Sequence, residues 1–139
     1  MTHRTTVLAL VALGLSATVL LYAEDRMRAG LWEVTTTVDG KPSGVRGGTC
    51  YTPAMVEMAN SSAATLREST EKSMASRHCT LKGFKTEGNS ISMSSVCGAR
   101  SAVTSSTYKL DAFETTSTST TAGVRTVTHM TGRRLGDCK

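Results

Sequence analysis

Aromatic residues are scarce in this chain, 4% of 139 residues, and there are only two prolines. So few prolines, with twelve glycines, exclude a Pro/Gly-rich fibrous protein or linker. Charged residues reach only 19%, too few for a disordered, highly charged chain. The basic excess is small, 16 Lys+Arg against 11 Asp+Glu for a net +5, and it is not clustered, so no nucleic-acid partner is expected. The familiar marks of chemistry are missing too. There is no glycine-rich phosphate loop, no nucleophile elbow and no close pair of metal ligands. No catalytic residue, cofactor or metal is expected from this composition, and the chain reads as a non-enzyme.

What is present is most legible at the N-terminus. His3 and Arg4 precede an uncharged apolar run from Val7 to Ala23, and charge returns abruptly at Glu24, Asp25, Arg26 and Arg28. A basic start, an apolar middle and a small residue before a charged stretch read as a secretory signal peptide over residues 1–23, leaving a single exported domain over 24–139. The rival reading is an uncleaved anchor, which would be the protein's one attachment to a membrane, although the run is a little short for a span. No cysteine stands near the cut, so lipoprotein attachment is excluded.

The four cysteines, Cys50, Cys79, Cys97 and Cys138, all follow that segment. An even count in an exported chain reads as a disulfide framework. Zinc is the alternative, but spacings of 29, 18 and 41 residues lack the close ligand pairs that zinc sites use.

Periodicity predicts an α+β domain, a disulfide-stapled antiparallel meander of about six strands with one main helix on a sheet face. Leu31–Val38 alternates, with Trp32, Val34, Thr36 and Val38 on one face. Residues 39–44 read as a turn and Val45–Tyr51 as a short return strand. Thr52-Pro53 announces a helix running to about Ala75, whose stripe of Met55, Met58, Ala59, Ala63 and Leu66 is expected in the core. Asn60-Ser61-Ser62 is a potential break. From Cys79 the period becomes two, with strands over Cys79–Thr86, Ser90–Cys97, Ser101–Leu110, Phe113–Thr121 and Val124–Thr131.

The hairpin suggests the cysteine pairing. If Glu87-Gly88-Asn89 is a three-residue loop, Thr86 faces Ser90, and counting outward sets Cys79 opposite Cys97. Strand direction then brings Cys50 and Cys138 together at the other end of the sheet, provided Leu31–Val38 pairs with the last strand.

The order of Gly30–Thr35 (GLWEVT), Cys50–Pro53 (CYTP), the Cys79–Cys97 hairpin and Thr131–Cys138 (TGRRLGDC) resembles a family of small exported bacterial proteins with a domain of unknown function. Its members, mostly Gram-negative, share a Gly-Leu-Trp-Glu opening, four cysteines and a Leu/Ile-Gly-x-Cys ending. The resemblance implies a periplasmic or envelope location and no catalytic residues. The Ser/Thr-rich final hairpin departs from it, since the family carries more Gly, Met and aromatics there.

Individual candidates read mostly as structural. His129 lacks a local triad signature. His78 stands beside Cys79, where a disulfide removes any reactive thiol. Lys41, Arg46, Arg125, Arg133 and Arg134 read as a solvated face, and Trp32 as core. Two functions remain open. One is a non-catalytic module that binds an apolar or amphipathic small molecule on a curved sheet. The other is an envelope protein–protein interaction or structural protein, using a strand edge or a Thr-rich face. An unfilled space between sheet and helix discriminates in favour of the first.

Overall fold

A computed structural model describes residues 25–139; the signal peptide expected over residues 1–23 lies outside the described residues. Seven strands form one antiparallel sheet, in the order β2-β1-β7-β6-β5-β4-β3. They are β1 (Gly30–Val38), β2 (Lys41–Tyr51), β3 (Cys79–Glu87), β4 (Ser90–Cys97), β5 (Arg100–Tyr108), β6 (Ala112–Thr121) and β7 (Val124–Gly136). The count exceeds the expected six or so because the short return strand read at Val45–Tyr51 is a full strand, extended by the expected turn residues 41–44; every hairpin but one closes in two residues. Asp39-Gly40 and Ala122-Gly123 both hold positive φ, the backbone of the tight turn whose twist matches that of the flanking strands. Only the β5–β6 connection is longer. There the chain leaves β5 at Tyr108, earlier than expected, and Leu110 turns at φ 57 to bridge Met27.

The N-terminal hairpin docks on the C-terminal strand, β1 against β7. The two outer strands, β2 and β3, do not pair, so the sheet is open. Helices α1 (Pro53–Asn60) and α2 (Ala63–Ala75) carry the chain from one edge to the other. Thr52 caps α1, accepting from the Met55 amide, and Pro53 opens it. Ser62 caps α2 by accepting from the Thr65 amide.

The single expected helix is therefore two, and its methionine stripe is not core. Met55 and Met58 are 55% and 43% exposed, and α2 buries no residue fully. The rotation of α1 explains this. The side-chain oxygen of Asn60 accepts from the amides of Arg26 and Met27, and its amide nitrogen donates to the Met27 carbonyl. That clamp turns the Asn60 face inward. Val56, one turn earlier on the same face, is buried with it, while Met55 and Met58 point elsewhere. The core is a small cluster of Met27, Trp32 and Val56, with Ala29, Tyr51, Tyr108 and Phe113 packed around it together with Ala59, the one member of the expected stripe that reaches it.

Both disulfides are formed, Cys79–Cys97 with Cα atoms 4.3 Å apart and Cys50–Cys138 with Cα atoms 5.6 Å apart. The loop that suggested the first pair is not the one adopted. The turn is Gly88-Asn89, with Glu87 facing Ser90. A two-residue turn alone would set the cysteines one place out of step. A bulge between Leu81 and Gly83 inserts Lys82 and restores the register, so Cys79 faces Cys97.

Candidate functional site

The ladder gives the sheet two chemically different faces. The inner face, toward α1, carries Trp32, Val34 and Thr36 on β1, with Gly132, Met130 and Thr128 beside them on β7. It continues through Phe113, Thr115 and Ser117 on β6 to Tyr108, Ser106 and Thr104 on β5. Ile91 and Met93 on β4 and Phe84 on β3 complete it.

Beneath α1 this face is closed, so the unfilled space between sheet and helix that would discriminate in favour of a binding module is not found there. Trp32 is fully buried and its indole nitrogen donates to the Arg28 carbonyl at 3.1 Å. Its ring meets Tyr51 edge-on at 6.1 Å and Phe113 at 5.7 Å. The Phe113 ring lies over Gly132; a Cβ there would stand 2.0 Å from a ring carbon, so no larger residue fits. Trp32 is thus core, as the alternation of β1 indicated.

Away from α1 the face is only half covered. Its hydroxyls satisfy one another across strands, Ser106 with Thr115 at 2.9 Å and Thr104 with Ser117 at 3.0 Å. Where β1, β2 and β7 meet there is a recess of about 400 Å³, lined by Val34, Thr36, Gly44, Thr49, Tyr51 and Met130. That volume lies in the usual range for small-molecule sites, roughly 300–1,000 Å³. Tyr51 and Val34 give it apolar walls, the Thr36 and Thr49 hydroxyls give it polar points, and exposed Gly44 leaves its β2 side open.

The candidates singled out in the sequence are scattered. His129 lies on the outer face, its Nε2 2.8 Å from Glu114 Oε1, opposite Thr116 and Thr37 in the ladder. His78 is exposed in a turn at φ 57, next to the bonded Cys79. Arg133 pairs with Glu33 on the outer face, and Arg125 is exposed there. Arg134 donates to the Ala29 carbonyl and to Asp137. Lys41 and Arg46 fall on β2, the strand that forms the open side of the recess. Among the described residues no group of His, Cys, Asp and Glu is arranged to hold a metal.

Sequence reasoning missed Tyr51, Thr49 and Met130 as recess residues, because residues far apart in the chain meet only once β1 joins β7. It also missed Arg26, which is buried and donates to the Ala59 and Ser61 carbonyls at the end of α1. A cation suits those free carbonyls.

Residues 27–138 match a family described as a protein of unknown function, DUF3617. The chain belongs to that family. The matched span begins at Met27, the first core residue, and ends at Cys138, the last bonded cysteine, so this DUF3617 domain coincides with the disulfide-closed sheet. No curated protein and no solved structure matches the chain. Among the described residues of the DUF3617 domain, no helix is long and apolar enough to cross a membrane.

Proposed function

We propose that this DUF3617 domain is a non-catalytic binding module of the bacterial envelope or periplasm, taking an apolar or amphipathic small molecule on the inner face of its sheet. The observation that carries this is the incomplete cover of that face. Helix α1 closes one end over Trp32, while the adjoining recess at Val34, Tyr51 and Met130 holds space for a ligand beside a rigid aromatic cluster. The two disulfides support an oxidising compartment, and the apolar N-terminal segment of the sequence supports export to it.

Interaction by strand addition is disfavoured, since both edges are blunted. β2 carries Lys41, Pro42 and two irregularities against β1, and β3 carries Lys82 in its bulge and Lys85 beyond it.

The test is binding of the neutral apolar dye Nile red. The wild-type protein is expected to enhance its fluorescence, and Thr49→Trp, which fills the recess, to abolish that enhancement while both disulfides still form. No enhancement with the wild type, or full enhancement with Thr49→Trp, overturns the reading.

A further inference from the structure

Hydroxyls on the inner face of the sheet are not all treated alike. Between β5 and β6 they meet in pairs across the strands, Ser106 with Thr115 and Thr104 with Ser117, so each has a protein partner. Around the recess they do not. Thr36, Ser43 and Thr49 line it, and none of their hydroxyls has a hydrogen-bond partner among the described residues.

The ladder explains the difference. Thr36 stands between Gly44 on β2 and Met130 on β7, neither of which offers a polar hydrogen. Thr49 faces Trp32, whose one side-chain donor is spent on the Arg28 carbonyl. Ser43 falls in the irregularity of β2 between Pro42 and Gly44 and has no partner across the ladder. Thr36 and Thr49 are half-buried and Ser43 is exposed, so solvent or a ligand reaches all of them. The space beside them is open, since a Cβ added at Gly44 would meet no atom within 4 Å.

The rest of the lining is apolar. Val34 is buried, the Tyr51 ring is set edge-on against Trp32, and Met130 brings an unbranched, adaptable thioether. An apolar chain suits this wall. A ligand that is apolar throughout, however, displaces solvent from the hydroxyls and returns no hydrogen bond, which weakens its binding. A hydroxyl both donates and accepts. An ether oxygen only accepts and an ammonium only donates, so each answers half of what Thr36, Ser43 and Thr49 offer. A hydroxyl on the ligand answers both halves.

We infer that the ligand is a single-chain amphiphile with a polyhydroxylated head, its head at Thr36, Ser43 and Thr49 and its chain against Val34, Tyr51 and Met130. This rests on the binding-module reading above and adds the chemistry of the head. A glycosyl head and a glycerol head share that chemistry.

Head-group selection is measured by calorimetric titration of the full domain with uncharged probes of one chain length, below their micelle concentrations. They are octyl glucoside, monooctanoylglycerol and tetraethylene glycol monooctyl ether, whose head is a string of acceptors with a single terminal hydroxyl. The better of the two hydroxylated probes is expected to bind at least about tenfold more tightly than the ether, the effect of one or two added hydrogen bonds. Tighter binding of the glucoside assigns a glycosyl head, and tighter binding of the monoacylglycerol assigns a glycerol head. The double variant T36V/T49V keeps the shape of both side chains and removes their hydroxyls. It is expected to erase the preference for hydroxylated heads while Nile red enhancement is retained. Thr116→Val, on the outer face opposite His129, is expected to leave the preference unchanged.

Equal affinity for the hydroxylated and ether heads overturns the inference, as does a preference that survives in T36V/T49V or is lost equally in Thr116→Val. In each case Nile red enhancement that is lost in Thr49→Trp keeps the recess as a binding site. Absence of binding by every probe and by Nile red overturns the recess reading together with the inference.

Discussion

Asn60 sits at the end of a short helix, where an asparagine normally does no more than stop it. Here its side chain makes three hydrogen bonds to the backbone of Arg26 and Met27, across more than thirty residues of sequence. Asn60→Ala leaves two amides and a carbonyl without those partners in a part-buried place. It is expected to cost about 2–3 kcal/mol, read as a lowered urea midpoint with an unchanged slope. Asn60→Asp, which keeps the acceptor but loses the donor to Met27, is expected to fall between the two. A second residue gives the domain a pH limit. Burial, the main influence on Tyr108, raises its hydroxyl above the usual value, and it outweighs the lowering effects of Ser106 and Arg26. The folded state therefore keeps the phenolic proton longer than the unfolded chain does. The stability linked to it is whole below the ordinary tyrosine pKa of about 10 and is lost as pH rises through the folded value. Chemical denaturation across the alkaline range is expected to show that fall, and Tyr108→Phe to reduce it.

The β3–β4 hairpin shows how much an element discloses before it folds. Its strands, their alternation and the facing of Cys79 with Cys97 are legible, because a period of two runs through both strands on either side of a Gly-Asn turn signal. The turn is not legible, since Glu87-Gly88-Asn89 closes in two or three residues with equal ease, and a bulge has no strong sequence mark. Lys82 is placed by the ladder and by Gly83, whose absent side chain leaves Ser94 room; a Cβ there would lie 2.9 Å from the Ser94 hydroxyl. Deleting Lys82 removes the extra residue and returns the strand to the step set by the turn. Cys79 then faces away from Cys97, and non-reducing peptide mapping is expected to find both as free thiols or mispaired. The helical segment was legible at its start, through Thr52-Pro53, and illegible in its rotation. The stripe of Met55, Met58 and Ala59 has helical spacing, but the inward face is chosen by Asn60 and its distant partners, which no local pattern records. For the same reason the recess stayed hidden: Tyr51, Thr36 and Met130 come from three strands whose adjacency depends on β1 joining β7.

The molecule as a whole is an open sheet with a small core at one end, so its closure depends on covalent ties. Only Met27, Trp32, Val34, Val56 and Ile91 are buried hydrophobics among the described residues. The two bridges share that burden unequally. Cys79–Cys97 spans 18 residues within one hairpin, whereas Cys50–Cys138 spans 88 and joins the end of β2 to the C-terminal segment after β7. In the loop-entropy model the shorter bridge stabilises by roughly 3 kcal/mol and the longer by roughly 4–5 kcal/mol. The longer bridge also holds β2 and β7 where the recess forms between them, and the shorter one lies at the far edge, against α2 and β3. Loss of each bridge is therefore expected to separate stability from binding. The pair C79S/C97S is expected to lower the thermal midpoint while Nile red enhancement survives below that midpoint. The pair C50S/C138S is expected to lower the midpoint further and to weaken dye binding even where circular dichroism shows the sheet intact. Equal thermal losses would show that the unfolded chain keeps its ends close without the bridge, and unchanged dye binding in C50S/C138S would show that the hydrogen bonds of β1 alone hold the recess open.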